Sequence, residues 1–309
     1  MKTSFLAISI MSHSHQHQDT ERNILVAFLL NLGFTLFEIF GAYWTNSLAI
    51  LSDAVHDLGD SLSLGLAWYL EHFSKREEDL RFSYGYRRFS LLGAFLNTLI
   101  LTAGSILILV RAIPRLMNPE VTNAQGMILF SIVGIVVNGA AVIRLKGDQS
   151  LNSRTVAWHL LEDVLGWVAL LIVSIILLFT DWYILDPILS ILLTSYILYN
   201  TLKNLVQTAR VFLQAVPEDI ELVEIDRTLK AIEHVRSTHH THVWSLDGEH
   251  HVLTTHIVVH EDTPREDIVC IRQDVHEALR NWGFSHSTIE IEFGDEDCGM
   301  QISESHSTQ

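Results

Sequence analysis

The sequence predicts an α-helical membrane protein in which six transmembrane helices are followed by a small α+β domain. Three observations carry this expectation. Of the 309 residues, 49% are hydrophobic, a composition too apolar for a soluble domain of this size. The first two thirds of the chain break into separate apolar segments, each close to the roughly 20 residues that a helix needs to cross the hydrocarbon. From Glu218 onward the apolar runs give way to short alternating segments crowded with Asp and Glu.

The expected helices run from Asn23 to Trp44, Ser47 to Phe73, Arg88 to Ile113, Gln125 to Leu145, Thr155 to Phe179 and Pro187 to Thr208. Asn118-Pro119 and Asp186-Pro187 mark boundaries, because proline costs no hydrogen bond in a first turn and breaks what precedes it. The acidic segment reads as a helix near Glu218 to Glu233, strands near Ser237 to Leu246 and His250 to Val259, a helix from Pro264 to Trp282 and a strand from Thr288 to Phe293. Asp247-Gly248 signals a hairpin. The expected domains are a His-containing tail at 1–22, a membrane domain at 23–212, a soluble domain at 213–298 and a short tail at 299–309.

Lys and Arg fall in alternate connections. The second-to-third holds Lys75, Arg76, Arg81 and Arg87, and the fourth-to-fifth holds Arg144, Lys146 and Arg154. The positive-inside rule makes these connections cytoplasmic, and an even helix count then places both termini, with the soluble domain, in the cytoplasm. The short chain, spare loops and lack of sorting motifs favour a bacterial cytoplasmic membrane.

A net charge of −16 without a clustered basic surface excludes nucleic acid as a partner. Two cysteines, Cys270 and Cys298, are too few for a disulfide framework or a four-cysteine zinc module.

The second helix carries Asp53-Ala-Val-His56-Asp57-Leu-Gly-Asp60, which puts His56 and Asp60 one turn apart on one face. The fifth helix repeats the spacing in Trp158-His159-Leu-Leu-Glu162-Asp163. Facing each other, the two pairs supply two imidazole nitrogens and two carboxylate oxygens, a tetrahedral set that suits Zn2+. The plainer reading, a buried polar network that fixes helix contacts, explains one such pair but not its repetition. Asp53 and Asp57 lie about 300° and 100° round the helix from His56 and need not be ligands.

These residues resemble the cation diffusion facilitator family, and within it the zinc-transporting branch. The resemblance covers Asn23 to Cys298 and rests on the His56/Asp60 and His159/Asp163 motifs, on Asp186-Pro187, on His242-Val-Trp-Ser-Leu and on Thr-Thr-His256. It implies a homodimer that exports Zn2+ in exchange for H+ by alternating access. It also implies a ferredoxin-like, metal-binding cytoplasmic domain, with His242, His256 and Glu292 as the matching zinc positions and Glu290 as a weaker one. Glu290 stands where some relatives have a histidine, so a single metal is expected there. For His242 and His256 to share a face, the hairpin needs a three-residue loop ending at Glu249. Cys298 is a further thiolate candidate, although a lone cysteine is more often inert.

The tail Ser12-His13-Ser-His15-Gln-His17 is either a zinc collector or dispensable. Two other functions compete with transport. A membrane metalloenzyme would need an open coordination position and a motif such as His-Glu-x-x-His, which is absent. In a metal-sensing receptor or regulated channel the soluble domain would read cytoplasmic zinc and the helices respond, and a channel would need weak, multi-site binding that a saturated tetrahedral site does not provide.

Overall fold

The computed structural model describes residues 25–74, 76, 78–145, 151–294 and 298. The 1–22 tail, most of the Lys146 to Arg154 connection and the 299–309 tail lie outside them. The chain divides into two compact units, Met1–Lys75 with Leu92–Val206, and Arg76–Leu91 with Gln207–Gln309.

Six long helices supply the first unit: α1 (Leu25–Thr45), α2 (Leu48–Ser74), α3 (Arg88–Met117), α4 (Ala124–Leu145), α5 (Leu151–Phe179) and α6 (Leu185–Phe212). Five of them, all but α2, are apolar and long enough to cross a membrane. In hydrocarbon every backbone polar group must be paired internally, which a helix does and an open strand does not. At 27 residues α2 has the length, but Asp53, Asp57 and Asp60 interrupt its apolar run. Ionisable groups are expensive in hydrocarbon, so these carboxyls make α2 a candidate to carry a functional site.

The α3 helix passes the end expected at Ile113 and contains Pro114. Proline forfeits its own bond to the preceding turn. Its carbonyl still accepts the Asn118 N–H at 3.1 Å, which closes one more turn.

Polar contacts fix the α1–α2 junction. Asn46 takes φ 55°, a left-handed conformation that asparagine tolerates better than most residues. Its carbonyl and side-chain oxygens accept hydrogen bonds from Arg115 at 3.0 and 2.7 Å. Ser47 then caps α2, accepting the Ile50 N–H at 3.2 Å. Behind this turn Ala42, Ala49, Ile50, Met127, Phe130, Trp167, Leu170 and Leu177 form one buried cluster that draws on α1, α2, α4 and α5.

The second unit is α+β. It contains α7 (Leu222–Lys230), β1 (Val235–Ser245), β2 (His251–Val259), α8 (Arg265–Leu279), a 3-10 turn at Arg280–Trp282 and β3 (His286–Phe293). The sheet order is β1-β2-β3, with β1 antiparallel and β3 parallel to β2. The parallel pair requires a crossover, and α8 supplies it. Ile225 and Leu229 on α7, with Ile271, Val275 and Leu279 on α8, recur at helical spacing and bury against Val243, Leu253, Ile257 and Val259 of the sheet. Because side chains alternate across a strand, His256 and Glu292 must then face the opposite side.

The Arg76–Leu91 segment groups with this second unit. Asp79 accepts hydrogen bonds from the backbone of Phe82 at 2.8 Å, the Tyr86 hydroxyl at 2.8 Å and the backbone of Arg81 at 2.7 Å. Those bonds hold its carboxyl below the ordinary carboxylate range. The Tyr84 ring meets His286 of β3 edge-on, with centroids 5.4 Å apart.

Candidate metal centre

Helices α2 and α5 bring the two His-x-x-x-Asp pairs together. His159 Nε2 lies 2.8 Å from Asp60 Oδ2. His56 Nε2 lies 3.9 Å from Asp60 Oδ2 and 3.8 Å from Asp163 Oδ1. One ligand atom from each of His56, Asp60 and His159 falls within 4.8 Å of the others. A tetrahedral zinc with bonds of about 2.0–2.2 Å separates its ligands by roughly 3.3–3.6 Å, so small side-chain shifts would enclose one ion. Asp163 stands outside that three-residue set and reaches it through His56.

The site opens on a cavity of about 350 Å³ lined by Asp53, His56, Asp60, His159, Glu162 and Asp163 among others. The residues lining it include four carboxylates and no Lys or Arg, a lining that favours positive charge. Asp57 is buried and does not line the cavity. Three further polar residues of the helical unit are buried, and of these Asn97 also lines the cavity. Glu38 is fully buried in α1. Asn97 donates to Ser63 at 2.6 Å, and Asn138 donates to the Gly134 carbonyl at 3.2 Å.

In the second unit four side chains converge on the sheet face turned away from the helices: His239, His256, Glu292 and Cys298, with ligand atoms within 4.8 Å of one another. His256 Nδ1 lies 2.7 Å from Glu292 Oε1 and 3.6 Å from Cys298 Sγ. His239 Nε2 lies 3.1 Å from Glu292 Oε2. Burial pushes the Glu292 carboxyl upward, but hydrogen bonds from His256 and Cys298 and the two nearby imidazoles outweigh it, leaving the group below its ordinary value.

Here the structure departs from the sequence expectation. His242 does not join His256; it is exposed and pairs with Thr254, whereas His239 stands opposite His256. The hairpin has the longer loop, since the Leu246 N–H donates to the His250 carbonyl. What the spacing concealed is an irregularity between His239 and His242 that inserts one residue into β1. His240 takes φ 48° there and absorbs the bend. Glu290 approaches the other nitrogen of His256, with 3.3 Å between Oε2 and Nε2, and stays largely exposed.

Comparison with known proteins agrees with both units. The family described as the cation efflux transmembrane domain matches residues 24–213, and the cation efflux protein cytoplasmic domain matches residues 217–293. The chain is 32% identical to the cadmium, cobalt and zinc/H(+)-K(+) antiporter of Bacillus subtilis (strain 168), over 91% of this chain and 92% of that one. It is also 32% identical to zinc transporter ZitB of Escherichia coli (strain K12), over 92% and 93% of the two chains. The metal cation efflux system protein CzcD of Cupriavidus metallidurans is again 32% identical, over 91% and 89%. With both of its units matched and relatives aligned along nearly its whole length, this multi-pass membrane protein belongs to the cation diffusion facilitator, or cation efflux, family.

Proposed function

We propose that the chain is a zinc efflux transporter that exchanges cytoplasmic Zn2+ for protons by alternating access. The observation that carries this reading is the convergence of His56 and Asp60 from α2 with His159 from α5 at an acidic cavity. Asp163 completes the set as the fourth ligand, brought in by its approach to His56.

The chemistry follows from the donors. An imidazole binds metal only when neutral and a carboxylate only when ionised, so protons and Zn2+ compete for the same side chains. Histidine titrates near physiological pH, which lets an inward proton gradient displace the metal. In one state the cavity admits Zn2+ from the cytoplasm; in the other, protons arriving from outside discharge it. Membrane metalloenzyme chemistry is disfavoured, because the family and its named relatives are transporters. A channel is disfavoured by the closed ligand set.

The Lys and Arg of the α2–α3 and α4–α5 connections support cytoplasmic termini in a bacterial cytoplasmic membrane. A homodimer fits the cytoplasmic-domain match. In that domain we assign Zn2+ to His239, His256 and Glu292, where a buried imidazole nitrogen of His239 makes no hydrogen bond although it lies beside a carboxylate. A metal ion held between such a nitrogen and the carboxylate would satisfy both.

Proteoliposomes test the exchange. With a proton gradient imposed, wild-type protein concentrates Zn2+ against its own gradient and moves protons the other way. Zinc that only equilibrates, unmoved by the proton gradient, would make the protein a channel.

A further inference from the structure

The cytoplasmic family match stops at residue 293, yet the cluster on the sheet draws on a side chain beyond it. Cys298 Sγ lies 3.6 Å from His256 Nδ1 and is 7% exposed, whereas Cys270, the second cysteine, is exposed on α8. We propose that Cys298 is the fourth ligand of the cytoplasmic cation, a thiolate that joins two imidazoles and a carboxylate to close the site within one protomer and tunes it to soft metals. The proposal rests on the assignment of Zn2+ to His239, His256 and Glu292.

Geometry supports the closure. Tetrahedral zinc with nitrogen and oxygen bonds of about 2.0 Å and a sulfur bond of about 2.3 Å spaces its ligands by roughly 3.3–3.8 Å. The cluster already shows 3.1 Å between His239 and Glu292 and 3.6 Å between Cys298 and His256. Placing a cation at its centre relieves two misfits. His239 Nε2 gains the partner it lacks, and His256 Nδ1, shared between Glu292 and Cys298, is used through its lone pair instead of a proton. Glu292 contributes a carboxylate oxygen, and Glu290, whose Oε2 lies 3.3 Å from His256 Nε2, is placed to hold that ring's other N–H in the manner of an outer-shell carboxylate.

Binding replaces the thiol S–H bond by a metal–sulfur bond, and the proton leaves to solvent, so uptake releases one proton at Cys298. Thiolate donors select Zn2+ and Cd2+ over Mg2+, Mn2+ and Ca2+. The transmembrane set has no sulfur. The two sites therefore rank metals differently, and the cytoplasmic one ignores the abundant hard cations.

The test uses full-length protein in detergent with Cd2+ as the only added metal. Wild type should show thiolate-to-cadmium charge-transfer absorbance in the ultraviolet. Cys298→Ser should abolish it and Cys270→Ser should leave it intact, and Cys298→Ser should weaken zinc binding at the cytoplasmic site by at least ~10-fold. The wild-type spectrum alone is informative even if a variant fails to fold. A wild-type protein without the band, in which His256→Ala still removes one bound cadmium, would overturn the role of Cys298 and leave the histidine site standing. No band and no loss in His256→Ala would remove both, and a band that disappears with Cys270→Ser would assign the thiolate to the wrong cysteine.

Discussion

Asp186 at the start of α6 and Ser47 at the start of α2 are joined by a hydrogen bond of 2.5 Å, the serine hydroxyl donating to Oδ1. The same carboxylate accepts the Leu48 N–H at 2.8 Å and the Ala49 N–H at 3.3 Å, and Asp186 is fully buried. A helix begins with N–H groups that have no partner within it, and its positive end attracts an anion. Asp186 thus caps, from another helix, the helix that bears His56 and Asp60. Asp186→Ala strips several buried donors at once and should cost about 3 kcal/mol or more. Thermal unfolding in detergent checks this, and a melting temperature equal to wild type would remove Asp186 from the account of α2.

Helices α4 and α5 approach closely at Gly134. A Cβ built there would lie 2.2 Å from the Trp167 ring, and that ring is buried. Small residues allow such approach in membranes, where the lipid offers no hydrophobic drive for helix association. Gly134→Ala should destabilise the helical unit by about 1–3 kcal/mol. Gly139→Ala on the same helix, where nothing lies within 4 Å, should be nearly silent in the same melting assay.

The β1–β2 turn depends on Asp247. Burial works to raise its pKa, but the N–H groups of His250 and Glu249, at 2.8 and 3.0 Å, and the His250 ring at 2.7 Å outweigh it and hold the carboxyl below its ordinary value. A depressed folded-state pKa adds stability that is complete above the unfolded value and disappears as pH falls through the folded one. Asp247→Asn should therefore speed hydrogen exchange at the turn amides near neutral pH. The gap from wild type, corrected for intrinsic exchange, should narrow in acid. A gap that widened as pH fell would reverse the assignment.

Much of this was legible in the sequence. The six helices were readable because apolar length is a strong signal, and α2 was read from that same signal in spite of Asp53, Asp57 and Asp60. His256 and Glu292 were found together. His239 was not, because one inserted residue changes which β1 side chain stands opposite His256, and the sequence carries no mark of the insertion. Asp186 looked like punctuation before a proline; its bond to Ser47 spans 139 positions and leaves no local pattern.

That correction can be measured. His239→Ala should weaken cytoplasmic zinc binding by about 10–100-fold, whereas His242→Ala, which removes an exposed side chain opposite Thr254, should change it little. Competition titration with a zinc chelator separates the two. Equal loss in both variants would return His242 to the site.

Zinc X-ray absorption on full-length His256→Ala/Cys298→Ser protein examines the membrane site most directly, because the second cluster is disabled. The account predicts one bound zinc per protomer with nitrogen and oxygen neighbours at about 2.0–2.1 Å, no sulfur, and loss of that zinc on adding Asp60→Ala. Zinc that persists with the same coordination after both Asp60 and His159 are replaced by alanine would show that α2 and α5 do not hold the transported ion.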